Sequence, residues 1–270
     1  MNNWQEITRP QKPLTQAFPE CALTDLSHFG LIRISGADSR AFLQGQLTND
    51  INDVTSELAQ FSSYCNPKGR MLGSFWIFQR DEDLYLQLPA GLLESVLKRL
   101  RMFVLRSDAT LHDASTELAR FAISGDCAAQ LLPFAPSDDK ASLTREQTTI
   151  IRLPGDRPRF ELIGPPEILA QTWRRLLDTA EQTGPDFWSL MDIRAGMPTV
   201  FEDTIEAFVP QMANLQLIGG ISFTTGCDTG QEVVARMQYL GKLKRRMYHA
   251  HVDTTQAPVR GTEVFSPSSE

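Results

Sequence analysis

Cysteine is scarce in this sequence, with four in 270 residues, and the four are widely separated. They stand at Cys21, Cys65, Cys127 and Cys227. Because no two of them form a C-x-x-C pair, the sequence predicts neither a disulfide framework nor a zinc site built from neighbouring cysteines. A reducing compartment is therefore expected, and we predict a cytoplasmic location.

Long apolar runs are also missing. No stretch approaches the roughly 18 apolar residues that a membrane-spanning helix needs. The N-terminal segment mixes Glu6, Arg9 and Lys12 with prolines, so it has no apolar core of the kind found in secretory signals. We expect no membrane-spanning segment and no membrane partner.

An excess of positive charge is absent as well, since 33 acidic residues face 26 basic ones and the formal net charge is -7. This balance disfavours general coating of nucleic acid, although a local basic patch can still contact RNA. The segment that could make a weak tRNA contact contains Lys242, Lys244, Arg245 and Arg246. Such a basic edge is also typical of a solvated surface that resists sheet pairing.

The sequence does contain an ordered series of apolar segments. Alternating or continuous apolar runs predict strands at residues 31–35, 71–79, 84–88 and 109–112. Helical spacing predicts helices after Asp38 and over residues 92–104. The resulting order is β-α-β-β-α-β, which the ferredoxin-like unit satisfies.

The same order is predicted a second time. Strands are expected at residues 121–124, 149–153 and 159–163, with helices at 128–132 and 168–177. The tripeptide Ile-Ser-Gly opens both copies, ending at Gly36 and at Gly125. We therefore predict an α+β fold with one ferredoxin-like unit in residues 1–115 and a second in 116–235. Residues 236–270, with an edge strand at 247–252, are expected to begin a C-terminal β-barrel that stays incomplete.

One segment carries candidate chemistry, because Gly226 and Gly230 flank Cys227 just before an amphipathic run. If a helix begins near Thr229, its N-terminal N–H groups would lower the pKa of the Cys227 thiol and favour the thiolate. The neighbouring Asp228 and Glu232 act in the opposite direction. Cys227 is thus either a functional thiol or a buried structural cysteine.

This segment resembles the K-G-C-Y-x-G-Q-E signature of the YgfZ-type folate-binding proteins, which are relatives of the glycine-cleavage T-protein aminomethyltransferase. The matching residues are Gly226, Cys227, Gly230, Gln231 and Glu232. Thr225 and Asp228 stand where the family has lysine and tyrosine. Further similar blocks occur in order at residues 34–38, 42–50, 67–70, 194–198, 208–211 and 219–223.

The resemblance implies a T-protein-like core that binds tetrahydrofolate or a derivative. It also implies partners among iron-sulfur enzymes or cluster-assembly proteins, and a link to tRNA modification. The two aromatic positions that contact folate in the family correspond to Phe29 and Trp188, although Trp188 could equally fill the core. Lys68 and Arg70 are candidates for the glutamate tail of a folate, or else a solvated turn. The remaining candidates for cofactor binding are Arg194, Gly226, Gly230, Gln231 and Glu232.

Catalysis is less clearly implied. Gly73 and Ser74 stand where the T-protein has its aspartates, so the resemblance indicates a folate binder without the parent transferase step. An active aminomethyl- or methyltransferase and a catalytically silent interaction module are the alternatives. His249 and His251 alternate along the chain, but no third ligand is evident and we expect no metal site.

Overall fold

The structure is a computed structural model that describes residues 4–9, 18–223, 245–256 and 258–263. Its helices are α1 Trp4–Ile7, α2 Ser39–Gln44, α3 Ala90–Val104, α4 Ala128–Leu131, α5 Pro166–Leu176 and α6 Pro185–Arg194. Its strands are β1 Cys21–Asp25, β2 Phe29–Ser35, β3 Gln60–Cys65, β4 Met71–Arg80, β5 Asp83–Pro89, β6 Thr110–Asp113, β7 Ala119–Gly125, β8 Ser142–Arg145, β9 Thr148–Leu153, β10 Arg159–Gly164 and β11 Glu181–Thr183.

The first half of the chain forms a five-stranded antiparallel sheet in the order β3-β4-β5-β2-β6. The predicted strands and both predicted helices are present. The apolar stripe of α3 packs on this sheet and buries Leu92, Val96 and Leu100. Strand β3 was not predicted, because its centre holds Ser62 and Ser63, both fully buried.

The second half forms a six-stranded sheet in the order β11-β1-β7-β10-β9-β8. The predicted strands at 121–124, 149–153 and 159–163 and the two predicted helices are confirmed here. Strand β1 pairs antiparallel with β7 and parallel with β11, so it lies between strands of the second half. Residues 21–25 thus belong to this sheet, although the sequence grouped them with the first unit.

The two Ile-Ser-Gly tripeptides have the same structural role. Gly36 follows β2 with φ of 110° and Gly125 ends β7 with φ of 116°. A Cβ atom would lie 2.2 Å from the carbonyl oxygen of Asp108 at Gly36, and 1.8 Å from that of Glu20 at Gly125. Both turns therefore need glycine for its backbone conformation and for the close approach of another chain segment.

The two sheets pack against each other through side-chain contacts, with α3 packed on the first sheet and α5 on the second. The layer between them is partly polar: the Arg80 guanidinium on β4 donates to the Thr149 hydroxyl at 3.0 Å and to the Gln147 carbonyl at 2.6 Å. Outside this layer, Trp173 of α5 is fully buried against Trp4 and Phe121. No helix in the described ranges is long and apolar enough to cross a membrane.

Two expectations from the sequence are wrong. Cys21 and Cys127 form a disulfide with their Cα atoms 5.9 Å apart, because the pairing of β1 with β7 brings together residues separated by 106 positions. The predicted edge strand at 247–252 is absent, since residues 245–256 contain no strand and lie largely exposed to solvent. An alternating pattern forms a strand only where a neighbour supplies hydrogen bonds.

Candidate functional site

A cavity of about 680 Å³ lies beside the N-terminal end of α3. It is lined by Phe29 at the start of β2, by the α6 residue Asp192, by the loop that follows α6, and by residues 247–249. A narrow recess of about 20 Å³ shares Phe29 and Asp192 with the cavity. Because its walls include Trp76 from one sheet and Glu161 from the other, the recess reaches between the two sheets.

Phe29 presents an aromatic ring to the cavity. The residue is half-buried, and its carbonyl oxygen accepts a hydrogen bond of 2.7 Å from the Arg120 guanidinium. The neighbouring His28 ring lies 4.4 Å away, centroid to centroid, and both of its nitrogens are without a hydrogen bond within the described chain. Burial lowers the pKa of His28, which favours the neutral form of the ring.

Trp188 is placed differently from Phe29. It is 2 % exposed and belongs to the lining of the narrow recess, whereas Phe29 lines both spaces. The Arg159 guanidinium carbon lies 5.1 Å from the centroid of the Trp188 ring, a cation-π geometry. The structure therefore brings Phe29 and Trp188 to the same recess, while only Phe29 lines the large cavity.

Arg159 connects Trp188 to a carboxylate. It is 1 % exposed, and it donates to the Asp192 carboxylate at 2.7 Å and to the Pro154 carbonyl at 2.6 Å. Burial raises the pKa of Asp192, while the guanidinium opposes that shift. The geometry of this ion pair is fixed from the Arg159 side, because the Pro154 carbonyl and the Trp188 ring also hold the guanidinium.

Glu161 is a second buried carboxylate in the recess. One of its oxygens accepts from the Gln87 side-chain amide at 3.0 Å, and Oε1 has no hydrogen-bond partner among the described residues. Burial raises the pKa of Glu161 to about 7. Ser74, which stands where the T-protein aspartates were expected, lines the same recess and accepts at its hydroxyl from the Val200 backbone N–H at 3.1 Å.

The cationic candidates lie elsewhere. Lys68 and Arg70 belong to the turn between β3 and β4, in which the Asn66 side-chain oxygen accepts from both of their backbone N–H groups. The Arg70 guanidinium donates to the Ala207 carbonyl at 2.8 Å. Neither residue lines the cavity, so the structure does not bring them together with Phe29.

Arg194 ends α6 on the surface and is paired with Asp156. This contact holds the pKa of the Asp156 carboxyl below its usual value. Arg194 is not part of the cavity lining, although Asp192, two residues earlier, is. The block at residues 194–198 therefore reaches the cavity through Gly196, Met197 and Pro198 and not through Arg194.

The signature loop lies outside the described residues, and with it Gly226, Cys227, Gly230, Gln231 and Glu232. The proposed roles of these residues stay predictions. Of the basic segment, Arg245 and Arg246 are described and exposed, and Lys242 and Lys244 are not described.

Sequence reasoning did not find Asp192, Arg159 or Glu161. The weak signal was the alternation Arg159-Phe160-Glu161-Leu162, which is normally typical of a strand with one face in solvent. Its polar face instead lies between the sheets, where Gln87 and Asp192 meet it.

The fold has a solved counterpart and a matching domain family. The family described as GCVT N-terminal domain matches residues 14–148. The aminomethyltransferase T of the glycine cleavage system from Bartonella henselae superposes with a TM-score of 0.70 at 17% sequence identity. That match covers 87% of this chain and 65% of that chain, so this chain spans less than two-thirds of the aminomethyltransferase. The architecture is thus that of the T-protein class.

The named relatives of this chain identify its family within the T-protein class. The tRNA-modifying protein YgfZ of Colwellia psychrerythraea is 37% identical over 246 residues, covering 89% of this chain and 75% of that protein. The protein of the same name from Yersinia enterocolitica is 29% identical over 262 residues, covering 96% and 77%. The chain therefore belongs to the YgfZ-type family, as its motifs predicted.

Proposed function

We propose that this protein is a folate-binding accessory protein that supports iron-sulfur cluster assembly or repair and, through it, tRNA modification. The ligand is tetrahydrofolate or a derivative, and the partners are iron-sulfur enzymes or cluster-assembly proteins. Cys227 acts as the functional thiol, and no independent turnover is expected. The exposed Arg245 and Arg246 could add a weak contact with tRNA.

The observation that carries the folate assignment is the 680 Å³ cavity that Phe29 and Asp192 both line. Its volume lies within the roughly 300–1,000 Å³ of typical small-molecule sites. An aromatic face and a carboxylate suit a flat heterocycle with N–H donors. Membership of the YgfZ-type family and the T-protein fold support the same ligand class.

Calorimetric titration of the full chain with 5-formyltetrahydrofolate, a stable reduced folate, tests the pocket. Phe29→Ala should weaken binding about 5- to 150-fold, the range expected when a stacking ring is removed. Phe103→Ala is the matched control, because Phe103 is an exposed phenylalanine on α3, away from the cavity. No binding by the wild type, or equal binding by wild type and Phe29→Ala, would exclude the pocket.

The thiol is tested in cells. A strain that lacks its own protein of this family is supplied with the wild type or with Cys227→Ser at equal abundance, and the methylthiolated fraction of its tRNA is measured. We expect the wild type to restore the modification and Cys227→Ser to restore little of it. Full rescue by Cys227→Ser would rule out an essential thiol.

A folate-dependent aminomethyl- or methyltransferase is the second candidate, and one observation favours it. Glu161 lines the same recess as Ser74, so the recess contains a carboxylate even though the parental aspartate positions hold Gly73 and Ser74. Turnover of methylene-tetrahydrofolate with a defined acceptor would support the transferase. Capture of a cluster-carrying partner without folate binding would instead support a silent interaction module.

A further inference from the structure

The two carboxylate oxygens of Asp192 differ in their hydrogen bonding. Its Oδ1 accepts from the buried Arg159 guanidinium at 2.7 Å. Its Oδ2 makes no hydrogen bond within the part of the chain that the structure describes, and the side chain is 16 % exposed where it lines the cavity. The cavity wall therefore presents a carboxylate oxygen that is free to accept N–H donors.

The orientation of this carboxylate is fixed from behind. Arg159 is itself held by the Pro154 carbonyl at 2.6 Å and lies 5.1 Å from the centroid of the Trp188 ring. Because Trp188 is buried beneath this guanidinium, its contact with the cavity is indirect. Trp188 is accordingly a positioning residue that acts through Arg159 on Asp192.

The cavity also limits the shape of the ligand. Phe29 lines both this cavity and the narrow recess together with Asp192, so a planar ring that stacks on Phe29 occupies a space that the carboxylate borders. A carboxylate oxygen in a partly buried site binds N–H donors strongly, because such charge-assisted bonds are about twice as strong as neutral ones. The matching ligand edge places an N–H donor at this one oxygen.

We propose that Asp192 is the specificity-determining residue of the cavity, accepting at Oδ2 from an N–H donor on the edge of a planar heterocycle that stacks on Phe29. The 2-amino-4-oxopyrimidine end of a pterin belongs to this chemical class. The inference rests on the proposed folate-binding function and adds the residue that selects the ligand edge.

The test compares two ligands on the same protein. The full chain is titrated with 5-formyltetrahydrofolate and with its analogue in which a methyl group replaces the 2-amino group. Loss of a hydrogen bond to a charged acceptor should weaken binding of the analogue to the wild type roughly 10- to 150-fold. Asp192→Asn should bind the amino compound about 10-fold or more weakly and should prefer it over the analogue by less than about 3-fold.

Two further variants separate recognition from folding. Asp139→Asn removes an exposed carboxylate that is paired with Arg152, and it should keep the wild-type preference. Asp192→Glu retains the charge but displaces the oxygens, so it should lose most of the preference even if Asp192→Asn does not fold.

The outcomes distinguish the inference from the proposed function. If the wild type binds neither compound, both the role of Asp192 and the proposed folate binding are wrong. If the wild type binds both compounds equally, or if the Asp192 variants keep the full preference, the recognition role falls while folate binding stands. Positioning through the Trp188 ring predicts that Trp188→Phe keeps the preference for the amino compound and that Trp188→Leu reduces it.

Discussion

Glu161 is a carboxyl group with a perturbed pKa in the layer between the two sheets. Its pKa is raised from 4.5 to about 7, mainly by burial. Between these two pH values the folded protein retains a proton that the unfolded chain has released. The free energy of unfolding must therefore fall as the pH rises through this window.

Glu161→Gln should remove this dependence, since the amide oxygen can still accept from Gln87. The free energy of unfolding of the variant, relative to that of the wild type, should therefore increase by about 2–3 kcal/mol from pH 5 to pH 8. Urea unfolding of both proteins at the two pH values measures the change. Glu167→Gln, at an exposed position on α5, should show no such gain. A constant difference between wild type and Glu161→Gln at both pH values would contradict the shifted pKa.

Side chains of this kind mark where prediction from sequence fails. Phe29 was assigned to the ligand surface from its motif, and it does line the cavity. Arg159 and Glu161 of β10 escaped, because polar residues that alternate with apolar ones along a strand normally indicate a solvent-exposed face. Only the packing of one sheet on another turns that face inward, and a single sequence does not specify which faces meet.

Among the elements, the turns after β2 and β7 depend on glycine. At Gly125 a side chain would combine a positive φ of 116° with a contact of 1.8 Å to the Glu20 carbonyl oxygen. Gly125→Ala should therefore destabilise the protein by about 2–4 kcal/mol, because strained backbone and overpacking add.

The matched control is Gly184→Ala. Gly184 precedes α6 with φ of -94°, and a Cβ atom there would meet nothing within 4 Å. The control should change stability by less than about 0.5 kcal/mol. Thermal and urea unfolding measure both variants, and equal stability of Gly125→Ala and the wild type would refute the steric argument.

Elements with a strong apolar period were predicted well. The bounds predicted from the apolar stripe of α3 and from the aromatic run of β4 lie within one or two residues of those in the structure. Strands β1 and β3 were missed for different reasons. Strand β1 is only five residues long and lacks the alternation of apolar and polar residues that indicates a strand. Strand β3 contains Ser62 and Ser63, which tertiary packing buries although their polar side chains are typical of exposed positions.

At the scale of the whole molecule, the Cys21–Cys127 disulfide links the start of β1 to the segment after β7. A cross-link between residues 106 positions apart restricts the unfolded chain. Cys21→Ser should therefore lower the free energy of unfolding by about 2–4 kcal/mol under oxidising conditions.

Urea unfolding with and without a thiol reductant measures this effect. The reductant should destabilise the wild type and leave the stability of Cys21→Ser unchanged. The variant therefore controls for any effect of the reductant on the other cysteines. A wild type whose unfolding is insensitive to the reductant would show that the bridge does not contribute to stability.

The place of β1 in the second sheet has a consequence for synthesis. Residues 21–25 leave the ribosome early, but their neighbours β7 and β11 end only at residues 125 and 183. The nascent chain must keep this strand unpaired while the first sheet is completed, because its partner strands are synthesised only afterwards. A gene fragment cut near residue 115 would give one half with a surplus strand and the other with a gap between β11 and β7.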